Sequence, residues 1–395
     1  MTTNEATHPQ ATPETRVSGE RLARLVELGQ RAWLDYIERR LVRSGELARL
    51  IAELHVSGLT SNPTIFEQAI AGTDQYDEDI RRLAARGATA GEIYETLVLE
   101  DLGAAADLFL PTYEASGGRD GFVSLEVSPR LAHDAEGTVA EAQRLWAALG
   151  RRNVMLKVPG TEAGLEALRR LIAAGVNVNV TLLFSLERYR EVAGAYIDGL
   201  EQAAAAGRPL DSIASVASFF LSRIDTAVDP RLETLIAEQG PRREEAKALR
   251  GEVAIASAKR AYAIYRDVFG GKRFARLAAQ GARPQWLLWA STSTKDPRES
   301  DVKYVDALIG PETINTMPQQ TLLAFADHGD PAPRLTEGAD RAAAMLKALN
   351  SLGVSLEEIT QRLETDGIAR FVKSFDTLHE AIERKRAAVA AAAAG

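Results

Sequence analysis

One lysine sits inside an apolar run, Val154-Met155-Leu156-Lys157-Val158, and a Pro159-Gly160 turn follows it. The run reads in two ways. A lysine at a strand end can extend its stem along apolar surface and carry its charge to water. Alternatively, a lysine held among apolar neighbours loses hydration, and the neutral amine this favours is a nucleophile toward carbonyl carbon. Three other apolar stretches carry groups suited to moving protons around such an amine: Asp35 in Trp33-Leu34-Asp35-Tyr36, Glu126 in Val123-Ser124-Leu125-Glu126-Val127, and Thr181 in Asn177 to Phe184. Carbinolamine formation, its dehydration and carbon-carbon cleavage each need local proton transfer, which carboxylates and a hydroxyl supply. Any one of these acids could be a satisfied structural group; their convergence on one lysine is the sharper expectation.

Two further runs suit an anion. Ser218-Phe219-Phe220-Leu221-Ser222-Arg223 offers hydroxyls and a guanidinium, and Ser291-Thr292-Ser293-Thr294-Lys295 offers hydroxyls and an ammonium. A guanidinium fork with a nearby lysine matches a terminal phosphate. Either cation could equally be a solvent-facing loop charge. Phe269-Gly270-Gly271-Lys272 lacks the spacing of a phosphate-binding P-loop, and no dinucleotide fingerprint follows a strand. His8, His55, His133, His328 and His379 show no metal-ligand spacing. The expectation is no cofactor and no metal.

These residues need a scaffold that brings strand ends together. Short β-like runs alternate with longer stretches of helical spacing, the pattern of a parallel sheet wrapped by helices. Eight strands are expected: Ala32 to Ile37, Val56 to Thr60, Gly121 to Val127, Val154 to Val158, Asn177 to Leu183, Ile213 to Phe219, Gln285 to Ser291 and Thr313 to Met317. Eight strands with intervening helices in 395 residues point to an α/β fold of the TIM (β/α)8 barrel type, in which reactive groups gather at the carboxyl ends of strands. No linker divides the chain, so residues 17–390 form one catalytic domain after a disordered lead at 1–16. A helical insert at about 65–110 and C-terminal helices at about 333–390 are additional. Thr89 with Glu92 and Ser355 with Glu358 have the spacing of helix capping boxes.

Composition narrows the partners. With 47 basic against 55 acidic residues the net charge is −8, which disfavours general attraction to nucleic acid. There is no cysteine, so disulfides and thiolate metal sites are excluded, in keeping with a cytoplasmic location. The N-terminal lead has no apolar core of a signal peptide, and the alanine-rich end, Ala387 to Gly395, is too short to span a bilayer and reads as a fraying helix end. No membrane association is expected, and a monomer or homodimer is.

Four stretches together resemble the transaldolase family in its longer bacterial form: Ser57-Gly58-Leu59-Thr60-Ser61-Asn62-Pro63-Thr64-Ile65-Phe66, Met155 to Thr161, Asn179 to Ser185 and Trp289-Ala290-Ser291-Thr292. They run in the family's order, and the likeness extends from about Trp33 to His328. It implies a cofactor-free class I aldolase mechanism on sugar phosphates. By that likeness Lys157 forms the Schiff base, Glu126 acts as acid and base through a water positioned by Thr181, and Asp35 takes the donor hydroxyl proton. Asn62 and Ser218 would hold sugar hydroxyls or the imine region, and Arg223 the phosphate. Two departures stand out. Ser222 precedes the arginine where the shorter form has glycine, and Ser293 and Lys295 occupy the loop where that form has a second arginine, making Lys295 the candidate second cation. A fructose 6-phosphate aldolase type of lyase and a non-catalytic sugar-phosphate-binding barrel remain alternatives. Glu126, where the small aldolases resemble it with a glutamine, favours transfer over release.

Overall fold

In the computed structural model, which describes residues 18–394, eight parallel strands close into a barrel in sequence order. They are β1 (Gln30–Asp35), β2 (Val56–Thr60), β3 (Val123–Glu126), β4 (Val154–Pro159), β5 (Val178–Leu183), β6 (Ser215–Phe220), β7 (Trp286–Ala290) and β8 (Thr313–Met317). The fold is the expected (β/α)8 barrel, with helices around the sheet. Every expected strand is present; β1 begins two residues earlier than the sequence pattern indicates, and β6 two residues later. Nearly every strand residue is buried, because a sheet covered by helices outside and filled by side chains inside leaves neither face to water. The expected disordered lead at 1–16 lies outside the described residues.

Strand periodicity divides the barrel interior into two levels. Trp33, Met155, Val216, Trp286 and Ile314 line a cavity of about 470 Å³ at the amino-terminal ends of the strands. Two residues further along four of those strands, Asp35, Lys157, Ser218 and Thr316 line a separate cavity of about 160 Å³ at the carboxyl ends. The apolar-to-polar switch at i and i+2 thus assigns packing to one end and chemistry to the other. The two cavities share no lining residue. The fully buried Trp33 packs on Gly58, where an added Cβ would lie 2.4 Å from the indole ring.

The insert comprises helices Pro63–Phe66, Asp77–Ala84 and Ala90–Ala115, with a π-helical turn at Glu67–Ala71. Thr89 and Glu92 form the expected reciprocal capping box on the longest of these. The C-terminal additions are helices Ala339–Ser351 and Leu356–Ala394. At the start of the second, Ser355 Oγ accepts from the Glu358 N–H at 3.2 Å, one half of the expected box.

The terminal helix crosses the carboxyl ends of the strands and is fastened along its length. Arg130 pairs with Asp376 at 2.6 Å, and Thr64 and Ser374 hydroxyls meet at 3.0 Å. Lys385 donates to the Ile70 and Thr73 carbonyls at 3.2 and 3.1 Å. Tyr94 meets Phe375 edge-on with ring centres 5.5 Å apart. Among the described residues no helix is long and apolar enough to cross a membrane.

Candidate active site

Lys157 stands on β4 opposite Glu126 of β3 in the parallel register, so adjacent strands aim both side chains inward at one level. Lys157 is 4% and Glu126 7% exposed. The amine lies 3.6 Å from the Glu126 carboxylate and donates to the Ser61 carbonyl at 3.1 Å. The lysine therefore does not reach out to solvent. Its surroundings also differ from a purely apolar cage, since a carboxylate and a backbone carbonyl face it directly.

Burial pushes the Glu126 carboxyl up to about 7, against the pull of Lys157. Both of its oxygens are buried without a hydrogen-bond partner among the described residues, as is the Thr181 hydroxyl. Thr181 sits on β5 and pairs in register with Pro159, two residues beyond the lysine on β4. Just after it, Leu182 adopts φ +58° and the β5–β6 pairing shifts, a local break in the ladder at the mouth.

Asp35, at the end of β1, shares the 160 Å³ cavity with Lys157. Burial raises its pKa, while Lys157 and a hydrogen bond from Thr60 oppose the rise. Thr60 Oγ1 donates to Asp35 at 2.7 Å and meets Thr316 Oγ1, also at 2.7 Å. One hydroxyl proton cannot serve both bonds, so Thr316 donates to Thr60 and the chain points at Asp35. A second chain runs across the barrel from Ser218, whose hydroxyl donates to Asn179 Oδ1 at 2.7 Å, and from the Asn179 amide to Ser124 at 3.1 Å. Asn62 caps helix Pro63–Phe66 by accepting from the Ile65 N–H at 3.1 Å; that bond fixes its carboxamide where it also lines the cavity.

The cations lie on the other side of the same cavity, which Arg223, Ser293 and Lys295 also line. Arg223 forms no ion pair among the described residues. Its guanidinium lies 5.1 Å from the Phe220 ring centre and 5.8 Å from that of Phe371, on the terminal helix. Burial lowers its pKa to about 10, with Arg370 the next cause. Lys295 is lowered too, by burial and by Arg223. Two partly desolvated cations, neither in an ion pair among the described residues although Asp35 and Glu126 act on Arg223 from within the site, form a place for an anion. Ser222, where the shorter form has glycine, opens helix Ser222–Ala237; its hydroxyl meets that of Ser291 at 2.8 Å and its N–H donates to the Ser291 carbonyl at 3.0 Å. The serine thereby ties the start of the helix that carries Arg223 to the loop that carries Lys295.

All eight sequence-derived candidates are at the carboxyl end of the barrel. Six line one cavity, Glu126 reaches it through its contact with Lys157, and Thr181 sits beside them on β5. Sequence reasoning did not single out Thr60 and Thr316, which orient Asp35, or the Ser61 carbonyl on the amine. Thr60 and Ser61 lie within the Ser57 to Phe66 stretch, so a signal was there. Phe371 had none, because only the fold brings the terminal helix over the mouth.

Closed barrel, buried lysine and facing carboxylate together define a lysine-centred barrel enzyme. A family model described as Transaldolase/Fructose-6-phosphate aldolase matches residues 32–382. The chain is 50% identical to a transaldolase of Thermobifida fusca over 371 residues, covering 94% of this chain and 99% of that protein. It is 49% identical to a transaldolase of Thiobacillus denitrificans (89% and 96% covered) and 45% identical to one of Trichodesmium erythraeum (92% and 97% covered). The chain belongs to the transaldolase/fructose-6-phosphate aldolase family of enzymes.

Proposed function

We propose that the chain catalyses the transaldolase reaction in the cytoplasm, moving a dihydroxyacetone unit from sedoheptulose 7-phosphate to glyceraldehyde 3-phosphate and giving erythrose 4-phosphate and fructose 6-phosphate. The observation that carries the reading is the buried Lys157 amine 3.6 Å from the Glu126 carboxylate, in a cavity shared with Asp35 and the unpaired Arg223.

The steps follow from that arrangement. Lys157 gives up a proton toward Glu126, whose affinity for it is heightened by burial, and the free amine adds to the donor ketone. Loss of water from the carbinolamine needs an acid, and Glu126 returns the proton through a water held between it and Thr181. Their buried unpaired oxygens fit such a bridge. Asp35 then takes the proton of the hydroxyl next to the scissile bond. That bond breaks, its electrons move into the iminium, and an aldehyde leaves while a three-carbon enamine stays on Lys157. Addition of the acceptor aldehyde reverses these steps, and hydrolysis of the new imine releases product and amine. Arg223 and Lys295 hold the phosphate, with Asn62 and Ser218 on sugar hydroxyls.

The test is covalent capture. Borohydride reduction in the presence of fructose 6-phosphate is expected to add a three-carbon mass at Lys157, and the Lys157→Ala variant, folded by circular dichroism, to show neither adduct nor turnover. With fructose 6-phosphate and erythrose 4-phosphate as substrates, sedoheptulose 7-phosphate is the expected product. Predominant release of free dihydroxyacetone would assign a lyase, and absence of any adduct a non-catalytic barrel.

A further inference from the structure

Arg223 is a half-buried guanidinium that shares the 160 Å³ cavity with a carboxylate, Asp35, and both Asp35 and Glu126 attract it. It nevertheless forms neither an ion pair nor a hydrogen bond among the described residues. Charge-assisted hydrogen bonds are the strongest that a guanidinium and a carboxylate make, so pairing with Asp35 is the expected outcome unless something prevents it. Pairing would also disable both groups. The N–H groups of Arg223 would be lost to an anionic ligand, and Asp35 would be weakened as a base.

Aromatic rings and a helix backbone surround the guanidinium in place of an acid. Its central carbon lies over the Phe220 ring at 5.1 Å and over the Phe371 ring at 5.8 Å, the first at the end of β6 and the second on the terminal helix. A ring face attracts a cation without offering an oxygen to its N–H groups, and the attraction grows where water is scarce. One turn before Phe371, an added Cβ on Gly367 would lie 3.4 Å from Arg223 Nη1 and 3.1 Å from a Leu182 methyl, so glycine lets the helix backbone approach the guanidinium. Phe220 continues the inward row of Val216 and Ser218 and is fixed by its strand. Phe371, 3% exposed, lines the cavity because the helix lies across the mouth, and the Thr64–Ser374 and Arg130–Asp376 contacts anchor that helix just beyond it.

We propose that Phe371 is a positioning residue for anion recognition: with Phe220 it holds the Arg223 guanidinium off Asp35, which keeps the N–H groups free for the phosphate of the sugar and leaves Asp35 free to take a proton. The terminal helix is thereby a working wall of the site. The identity of the ligand rests on the transfer reading above, but the positioning can be measured with inorganic phosphate alone.

Titration calorimetry of the full chain with inorganic phosphate reads it directly. Phe371→Leu keeps an apolar side chain and removes the ring; it is expected to weaken phosphate about tenfold, whereas Phe371→Tyr, which keeps the ring, should stay within about twofold of wild type. Because the loss arises from Arg223 turning to Asp35, the same Phe371→Leu change in an Asp35→Asn background should weaken phosphate less than about threefold. A loss that persists in full in that background, a tyrosine variant as weak as the leucine one, or a wild type without saturable phosphate binding would each overturn the proposal. Circular dichroism checks that the variants fold, and Phe371→Met takes the place of Phe371→Leu should the latter not fold. In borohydride labelling of Lys157, the fructose 6-phosphate concentration for half-maximal labelling should rise about tenfold in Phe371→Leu, while that for unphosphorylated fructose stays put. Parallel shifts for both sugars would mean that the ring merely shapes the mouth, and would overturn the proposal. The expected phosphate pattern, alongside a wild type that forms no adduct with either sugar, would uphold the positioning and sink the transfer reading.

Discussion

Replacing Glu126 with glutamine removes one ionisable oxygen pair and almost no volume, which makes it the sharpest probe of the proton path. Burial lifts the Glu126 carboxyl from 4.5 to about 7. At 1.36 kcal/mol per tenfold change in proton affinity, the buried carboxylate is therefore a stronger base than an exposed one by ~3 kcal/mol. Near pH 7 about half of the molecules carry it as carboxylate and half as acid, the condition in which one group serves both directions of proton transfer. Glutamine at the same place can do neither. The expected loss in kcat is about 10²- to 10⁴-fold, equivalent to ~3–5 kcal/mol of barrier. The assay is steady-state transfer between pH 5.5 and 9.5. Wild-type kcat/KM should rise through about pH 7 as the Glu126 carboxylate forms, and Glu126→Gln should lose that limb. Slow borohydride labelling of Lys157 should persist, since the amine is still present. A variant within tenfold of wild type, with the same limb, would refute the role of Glu126.

Two further outcomes concern the frame of the site. Gly58→Ala would place a methyl 2.4 Å from the Trp33 ring and should cost ~1–3 kcal/mol of stability as the ring is displaced, read as a lower urea midpoint; an unchanged midpoint would contradict the packing argument. Asp225, at the start of helix Ser222–Ala237, accepts from the Ala254 N–H and the Tyr304 hydroxyl, each at 2.8 Å, and burial raises its carboxyl from 3.8 to about 6. A folded-state value above the unfolded one stabilises the fold below the unfolded pKa and is lost as pH rises through about 6. Wild-type stability relative to Asp225→Asn should therefore fall by up to ~3 kcal/mol between pH 4 and 7, measured by urea unfolding, whereas a constant difference would show that Asp225 titrates normally.

Strands and site were unequally legible in the sequence. The barrel strands were readable because each is a short, nearly unbroken apolar run, and the inward polar residues Asp35, Glu126, Lys157 and Thr181 stood out as exceptions in those runs. Ends drifted where apolar pattern and ladder part company: Tyr36 and Ile37 continue the apolar stretch after β1 has ended, whereas Gln30 and Arg31 pair in the sheet despite their polarity. The environment of the amine was harder. Strand β4 alone suggested an apolar cage, but the groups that touch Lys157 come from β3 and from the segment after β2, and a local window contains neither. The same limit applies to the hydroxyl chain through Thr316 to Asp35 and to the terminal helix, whose Gly367 and Phe371 meet Arg223 across roughly 140 residues of sequence, a separation that only tertiary packing can close.

The confined space around Lys157 carries a kinetic consequence. In a cavity of about 160 Å³, with Phe371 of the terminal helix among its lining residues, the first aldehyde leaves before the second takes its place, and the lysine keeps its cargo during the interval. Double-reciprocal plots for the two substrates should accordingly run parallel.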